Sequence, residues 1–385
     1  MNRRLSKLAL VSLLTACAFG RAVAQQGVTD TEIVIGDILP LTGPPALLGV
    51  AHNLGVKAAV AEVNAAGGIN GRKVRLISED DGYVPSRTVQ GVRKLITSDK
   101  VFALTSISGT AQAEAAMPII KQSGIPAMAP ITTYEGLYNP VIKNVFAVGY
   151  DMANAVEELV SMMADRYPGK KWALISQDDD YGENVRTGFQ RAAKAKNLQI
   201  TSTQIYKKGQ VDFSSEILKV KQAGAEVLLA GGVLGENVAM TKELERIGHK
   251  IPVGVTYVSR VSASVRLMGT AGENVYTVDY VYLESSPQGK AFTDKLAKHL
   301  TAEEMPRVNR YTYTGYAATR ALFEAMGKCG KALTWDCANN ELAKVRNLDT
   351  GVMTPVSFSA TNHLAAPKLF LLKADPAAVT YKPVQ

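Results

Sequence analysis

The chain has 385 residues, of which 46% are hydrophobic and 20% charged, with a formal net charge of +8. That apolar fraction is ample for globular cores and excludes a disordered polar chain. No basic block accompanies the positive charge, which argues against a nucleic-acid surface.

Arg3, Arg4 and Lys7 precede an apolar run of twelve residues from Leu8 to Phe19, and Ala22-Val23-Ala24 then fits a small-residue cleavage pattern. The run is too short to span a bilayer, which needs about 20 residues. Residues 1–24 therefore read as an export signal and Gln25 as the first mature residue. Leu14-Thr15-Ala16-Cys17 also resembles a lipobox, so a lipid anchor on Cys17 stays open beside release after Ala24. Loss of Arg3, Arg4, Lys7 and Arg21 takes the charge from +8 to +4. No other stretch reads as a membrane span. The remaining length of about 360 residues exceeds what one core usually supports, so two domains are expected. Cys329 and Cys337, eight apart in an exported chain, are expected to form a local disulfide.

In chain order, Glu32–Gly36 reads as a strand, Asn53–Ala66 as a helix ended by Gly67-Gly68, and Val74–Ile77 as a strand. Ser86 is placed to cap a helix through Ile96. Val101–Leu104 is a strand, Ala111–Ser123 a helix closed by Gly124, and Ile125–Met128 the start of a strand. The rhythm restarts after Phe146: helix Ala153–Arg166, strand Trp172–Ile175, helix Glu183–Lys196, strand Gln199–Tyr206. Asp212 is placed to cap a helix that Gly224 ends. Glu226–Ala230, Glu236–Ile247 and Val253–Val255 continue the alternation, and helices near Gln288–His299 and Thr312–Met326 precede terminal strands. Alternating strands and helices predict an α/β fold: two Rossmann-like lobes with parallel sheets, helices on both faces, joined by short crossovers.

Ligands of open parallel sheets bind beyond the carboxyl ends of the strands. The segments there are Leu39–Pro44, Ser106–Thr110 and Ala129–Thr133. Ser106, Ser108, Gly109 and Thr110 precede a helix, where backbone N–H groups and hydroxyls together suit a carboxylate; a plain N-cap explains them equally well. Thr132 and Thr133 are either pocket donors or turn residues. Asp178–Asp180 reads as the acidic start of a helix, and Tyr181 as a cleft or packing residue. His52, His249, His299 and His363 are scattered, with no metal-ligand spacing, and no nucleophile elbow, Walker A loop or dinucleotide fingerprint occurs. Neither an enzyme nor a cofactor or metal is expected.

At these residues the sequence resembles the type I periplasmic binding proteins, the leucine/isoleucine/valine-binding branch that serves ABC transporters. The markers are Ile35-Gly36 with Pro40-Leu41-Thr42-Gly43, Asn64–Arg72, Asp80-Asp81, Gly124-Ile125-Pro126, Asp179–Gly182 and Arg246-Ile247-Gly248. The resemblance implies two lobes linked by three crossovers, near Val148-Gly149, Asp279–Tyr282 and Met353–Pro355. One lobe would be 27–148 plus 282–353, the other 149–281 plus 354–385. It implies a monomer that captures a small-molecule solute and hands it to a membrane permease. The ligand-contacting positions it implies are Ser106 to Thr110, Thr132, Thr133 and Tyr181. Leu48 stands where the family has an aromatic, and Gly232 and Val233 would form the second wall. Amino-acid binders carry an acid after the strand at Val253 to pair the ligand ammonium. Here Thr256 and Tyr257 stand there, and a buried ammonium lacking a partner costs several kcal/mol. The expected ligand is therefore a carboxylate with an apolar body or a neutral amide, unless Asp279 or Glu236 supplies the charge. A sensor role for the same fold is the alternative to transport.

Overall fold

A computed structural model describes residues 25–129, 131, 133–365 and 368–384. The expected signal, with Cys17, and Thr132 lie outside the described residues. The first sheet holds β1 (Glu32–Leu39), β2 (Lys73–Asp80), β3 (Ala103–Ser106), β4 (Ala127–Ala129), β5 (Val145–Val148) and β11 (Leu364–Ala365), in the order β2-β1-β3-β4-β5-β11. The second holds β6 (Lys171–Gln177), β7 (Gln199–Tyr206), β8 (Val227–Gly231), β9 (Val253–Val255), β10 (Val275–Asp279), β12 (Phe370–Asp375) and β13 (Thr380–Pro383), in the order β7-β6-β8-β9-β10-β12-β13. All pairings are parallel except those of β12, which lies antiparallel to both β10 and β13.

Helices cover both faces, as parallel strands buried on two sides require. Strand β1 shows this directly. Val34 and Ile38 join one buried cluster with Val92, Leu95 and Ile120 of helices α2 (Pro85–Thr97) and α3 (Thr110–Ser123). Ile33 and Ile35 point the other way, into the cluster holding Leu54 of α1 (Ala46–Ala65) and Leu322 of α10 (Arg310–Lys328). In the second lobe, Trp172 and Leu174 face α4 (Met152–Arg166) and α5 (Asp180–Lys196), while Ala173 and Ile175 face α6 (Ser214–Gln222) and α7 (Gly235–Arg246). Each fully buried aliphatic side chain contributes roughly 1.5–3 kcal/mol.

The helix expected from Asn53 begins at Ala46, and Gly49 and Gly55 lie within it as packing sites. A Cβ on Gly55 would lie 2.1 Å from the Thr312 carbonyl oxygen, and one on Gly315 would lie 2.2 Å from that of His52. The two glycines let α1 and α10 approach backbone to backbone. Helix α1 has the length and composition of a membrane span, yet 56% of its most apolar stretch is buried within the lobe. Ser86 does not cap α2. Pro85 occupies its first position, Val84 precedes it, and no side chain caps it. Asp212 lies two residues before α6 and accepts from the Ser214 N–H and hydroxyl. Two short helices lacked a clear sequence signal: α8 (Ser262–Met268) and α11 (Trp335–Leu342). Between them fall α9 (Pro287–Leu296) and α10.

The chain passes between sheets after Val148, after Asp279 and after Ala365. The third passage corrects the expected one at Met353–Pro355. Leu364 and Ala365 still pair with Ala147 and Val148 of the first sheet, and the Gly149 N–H bonds the Ala365 carbonyl at 3.0 Å. Residues 354–365 therefore belong with the first lobe. Met353 bridges Val281 beside the second passage, and the Tyr282 N–H bonds the Val352 carbonyl at 3.0 Å. A disulfide joins Cys329 to Cys337, whose Cα atoms are 5.9 Å apart, and ties the end of α10 to α11.

Candidate solute-binding cleft

A cavity of about 20 Å³ lies between the lobes, lined by Pro40, Pro45, Leu48, Tyr83, Gly109 and Ile131 from the first and Tyr181, Val233 and Val258 from the second. Its position follows from topology. Pro40, Tyr83, Gly109 and Ile131 come just past the carboxyl ends of β1, β2, β3 and β4; Tyr181, Val233 and Val258 come just past those of β6, β8 and β9. In both sheets these loops surround the point where strand order reverses, between β1 and β3 and between β6 and β8. The volume admits roughly one water, so a larger solute requires the walls to part.

Four expected residues line this cavity: Leu48, Gly109, Tyr181 and Val233. Around it, the hydroxyls of Ser106, Ser108, Thr133, Thr256 and Tyr257 are committed to protein groups. Ser108 donates to the buried Asp81 carboxylate at 2.6 Å. Thr314 donates to the Tyr311 carbonyl at 2.9 Å and so accepts from His52 Nδ1–H at 3.2 Å. That leaves His52 Nε2 to accept from Ser106 at 2.7 Å. Burial, and then the charge of Arg310, push His52 down to about 3, so it is neutral. Thr110 is buried in the first turn of α3. Thr133 donates to the Tyr150 carbonyl, as does Tyr257 at 2.9 Å, so both brace the first crossover. Thr256 shares a 2.7 Å hydrogen bond with the Tyr181 hydroxyl, which also reaches the Gly232 carbonyl at 3.0 Å. Tyr181 thus offers the cavity its ring.

Tyr83 is a wall residue that the sequence did not mark as ligand-contacting. It has a left-handed backbone, φ 65°, in the turn after Asp80-Asp81-Gly82. Three donors shape that turn: the Tyr83 N–H and the Thr88 and Ser108 hydroxyls all bond Asp81. Its carbonyl accepts from Gln112 Nε2 at 2.8 Å and, across the cleft, from Lys208 Nζ at 3.1 Å. The Lys208 ammonium also stands 3.8 Å above the Tyr83 ring, and burial lowers its pKa.

Behind the cavity, the lobes meet through buried charge. Arg310, at the start of α10, forms a bidentate pair with Asp279 at the end of β10, with Nε and Nη2 at 2.8 and 2.7 Å. Arg260 shares the same carboxylate and reaches Glu284 at 2.6 Å. Burial would raise Asp279, but the two guanidiniums overcome it and hold the carboxyl below its usual range. Asp279 is thereby committed and is no partner for a ligand ammonium. Glu236 is half-buried at the start of α7, near Lys208 and Tyr206. The neighbouring Tyr311 hydroxyl donates to the Val258 carbonyl at 2.7 Å and fixes a residue of the far wall.

A larger hollow of about 310 Å³ lies at the opposite ends of β9 and β10, floored by Leu244, Ile251 and Val253 and rimmed by Glu245, His249 and Glu273. Among the described residues no cluster of His, Cys, Asp or Glu is arranged to hold a metal.

Two α/β lobes that clasp an apolar cavity at their strand ends define a two-lobed solute-binding protein. The chain belongs to the periplasmic binding protein family, which matches residues 32–378. This is a family of extracytoplasmic solute-binding proteins of the branched-chain amino acid ABC transporter type, and it is not enzymatic. Leu/Ile/Val-binding protein homolog 3 of Brucella melitensis is 24% identical over 369 residues, covering 96% of this chain and 98% of its own. A branched-chain amino acid ABC transporter structure from Thermus thermophilus with bound valine superposes with a TM-score of 0.82 at 19% identity, covering 92% of this chain and 95% of that one. A solute-binding protein from R. palustris in complex with benzoate gives 0.79 at 19%, covering 91% and 95%. At these identities the two structures establish the shared fold.

Proposed function

We propose that this protein captures a small solute with an apolar body in the periplasm and delivers it, as a monomer, to the permease of an ABC importer. The observation that carries this reading is the interlobe cavity, whose walls come from seven strand ends of two separate sheets and are almost wholly apolar. A solute enters when the lobes swing apart about the three crossovers, and its burial draws them together. The leader before Gln25 supplies export. Leu48, Gly109, Tyr181 and Val233 touch the solute; Ser106, Ser108, Thr110, Thr133, Gly232, Thr256 and Tyr257 hold the walls in place around it.

The branched-chain name of the relatives does not extend to an amino-acid ligand here. No carboxylate lines the cavity among the described residues, Asp279 is saturated by two arginines, and Asp81 by three donors. The fold itself holds valine in one neighbour and benzoate in another, so either solute type suits it and wall chemistry decides. A thermal-shift panel of amino acids, their deaminated acids, aromatic carboxylates and amides tests the proposal. A ligand at 100 times its Kd adds about 2.7 kcal/mol. A shift confined to solutes without an α-amino group is expected. A shift with leucine or valine overturns the exclusion of amino acids, and no shift with any small solute overturns capture.

A further inference from the structure

We infer that the cleft reads a carboxamide head group, through Gln112. This deepens the reading of the cavity as the solute site and rests on it. Gln112 lies in the first turn of α3 and is 1% exposed. Its Nε2 donates to the Tyr83 carbonyl at 2.8 Å, an acceptor that only the nitrogen end can serve, so the amide orientation is fixed. Its Oε1 is then a buried acceptor with no hydrogen-bond partner. A Cβ on Gly109 would lie 3.0 Å from that oxygen and 2.8 Å from the Tyr83 hydroxyl. Gly109 and Tyr83 both line the cavity, and Oε1 stands against them, one layer behind the corner of the wall they form. Leaving such an acceptor unmatched is costly, and a complementary donor removes the cost.

The same corner offers donors. The N–H groups of Ala111 and Gln112, in the first turn of α3, have no acceptor within the helix, and Gly109 caps that turn with no side chain. The corner therefore presents N–H donors from the backbone, the Tyr83 hydroxyl and one carbonyl acceptor from Gln112. A primary amide carries the matching pair, a carbonyl for the helix N–H groups and an N–H for Oε1. A carboxylate satisfies the helix but sets a second oxygen against Oε1. An ammonium donates to Oε1 but buries a charge against a neutral acceptor, with no free carboxylate among the lining residues. The apolar walls at Leu48, Ile131, Val233 and Val258 take the hydrocarbon body.

The test measures affinity for two matched pairs, benzamide with benzoate and isovaleramide with isovalerate, on the mature chain and three variants. In the unaltered protein one amide or both bind about tenfold or more tighter than the matching acid, the discrimination expected of a site built to receive a donor. Gln112→Met collapses that ratio toward one by weakening the amide. Gln112→Glu, with a charged acceptor at the same reach, moves preference toward benzylamine over benzamide. If Gln112 only props Tyr83, Gln112→Met weakens acid and amide alike, and the inference falls. It also falls if each acid binds as tightly as its amide in the unaltered protein. Val233→Trp fills the cavity and separates the two levels of the argument. Amide binding that survives it overturns the cleft as the solute site, whereas binding lost there with the ratio unchanged in Gln112→Met overturns the role of Gln112 alone.

Discussion

The cavity and the buried junction behind it are built from opposite materials. At the junction, Asp279, Arg260, Arg310 and Glu284 bring four charges together, and Arg310 and Asp279 are fully buried. At the cavity, a few residues away through Tyr311 and Val258, the walls are prolines, aliphatics, tyrosine rings and one glycine. Charge is concentrated where the lobes are joined and withheld from the walls of the cavity. The junction gains orientation from paired ions. The cavity keeps low polarity, so a single unmatched group such as Gln112 Oε1 can discriminate between solutes.

The sharpest way to break this contrast is Asp279→Ala. It leaves two guanidiniums buried without their shared anion and is expected to cost about 3–5 kcal/mol, read as a denaturant midpoint. A loss under about 1 kcal/mol contradicts the junction as the lobes' main polar contact. Gly55→Val should come next, at about 2–3 kcal/mol, since its side chain must push α10 away from α1.

Both sites of expected loss differ in how well the sequence announced them. Strand–helix alternation made the two sheets readable, because strands buried on both faces are apolar runs and Gly124, at φ 75°, ends its helix as glycines do. Gly55 fell inside the expected helix, but its packing role was not legible, because it depends on which helix lies against it. The third crossover was carried over from the family resemblance, and it falls later here because the two-residue β11 still pairs with the first sheet. In the cleft, Gly109 and Tyr181 were legible from their places after strands, and Leu48 and Val233 only through the family resemblance. Tyr83 was not, as its role depends on a left-handed turn held by Asp81, and Gln112 was hidden because its significance lies in a missing partner.

Smaller effects refine the comparison. The Cys329–Cys337 bond closes a loop of eight residues and is expected to contribute about 2 kcal/mol; equal melting of oxidised and reduced protein contradicts that. Asp37, beneath the cleft, is raised by burial to about 6, against hydrogen bonds from Ser78 and Asn53. The folded state therefore holds this proton more tightly than the unfolded chain, and ionisation at neutral pH destabilises it. Asp37→Asn should stabilise by roughly 1–2 kcal/mol at pH 7.5, with the gain fading as pH falls from about 6 toward 4. His52 acts with the opposite slope. Its folded value is about 3, so the unfolded chain takes up a proton first, and stability present above pH 6.5 declines as pH falls toward 3. His52→Gln should flatten that slope in pH-dependent melts. An unchanged slope assigns it to other groups.

The claim on which the rest depends is that the solute sits between the lobes. Titration calorimetry of the mature chain and of Leu48→Trp, with whichever solute raises the melting temperature most, tests it directly. Leu48 is 4% exposed and forms part of the cavity wall, so an indole there occupies the solute's place. Binding heat in the unaltered protein and none in a folded Leu48→Trp is the predicted result. Equal affinity in both proteins would place the solute elsewhere and contradict the account.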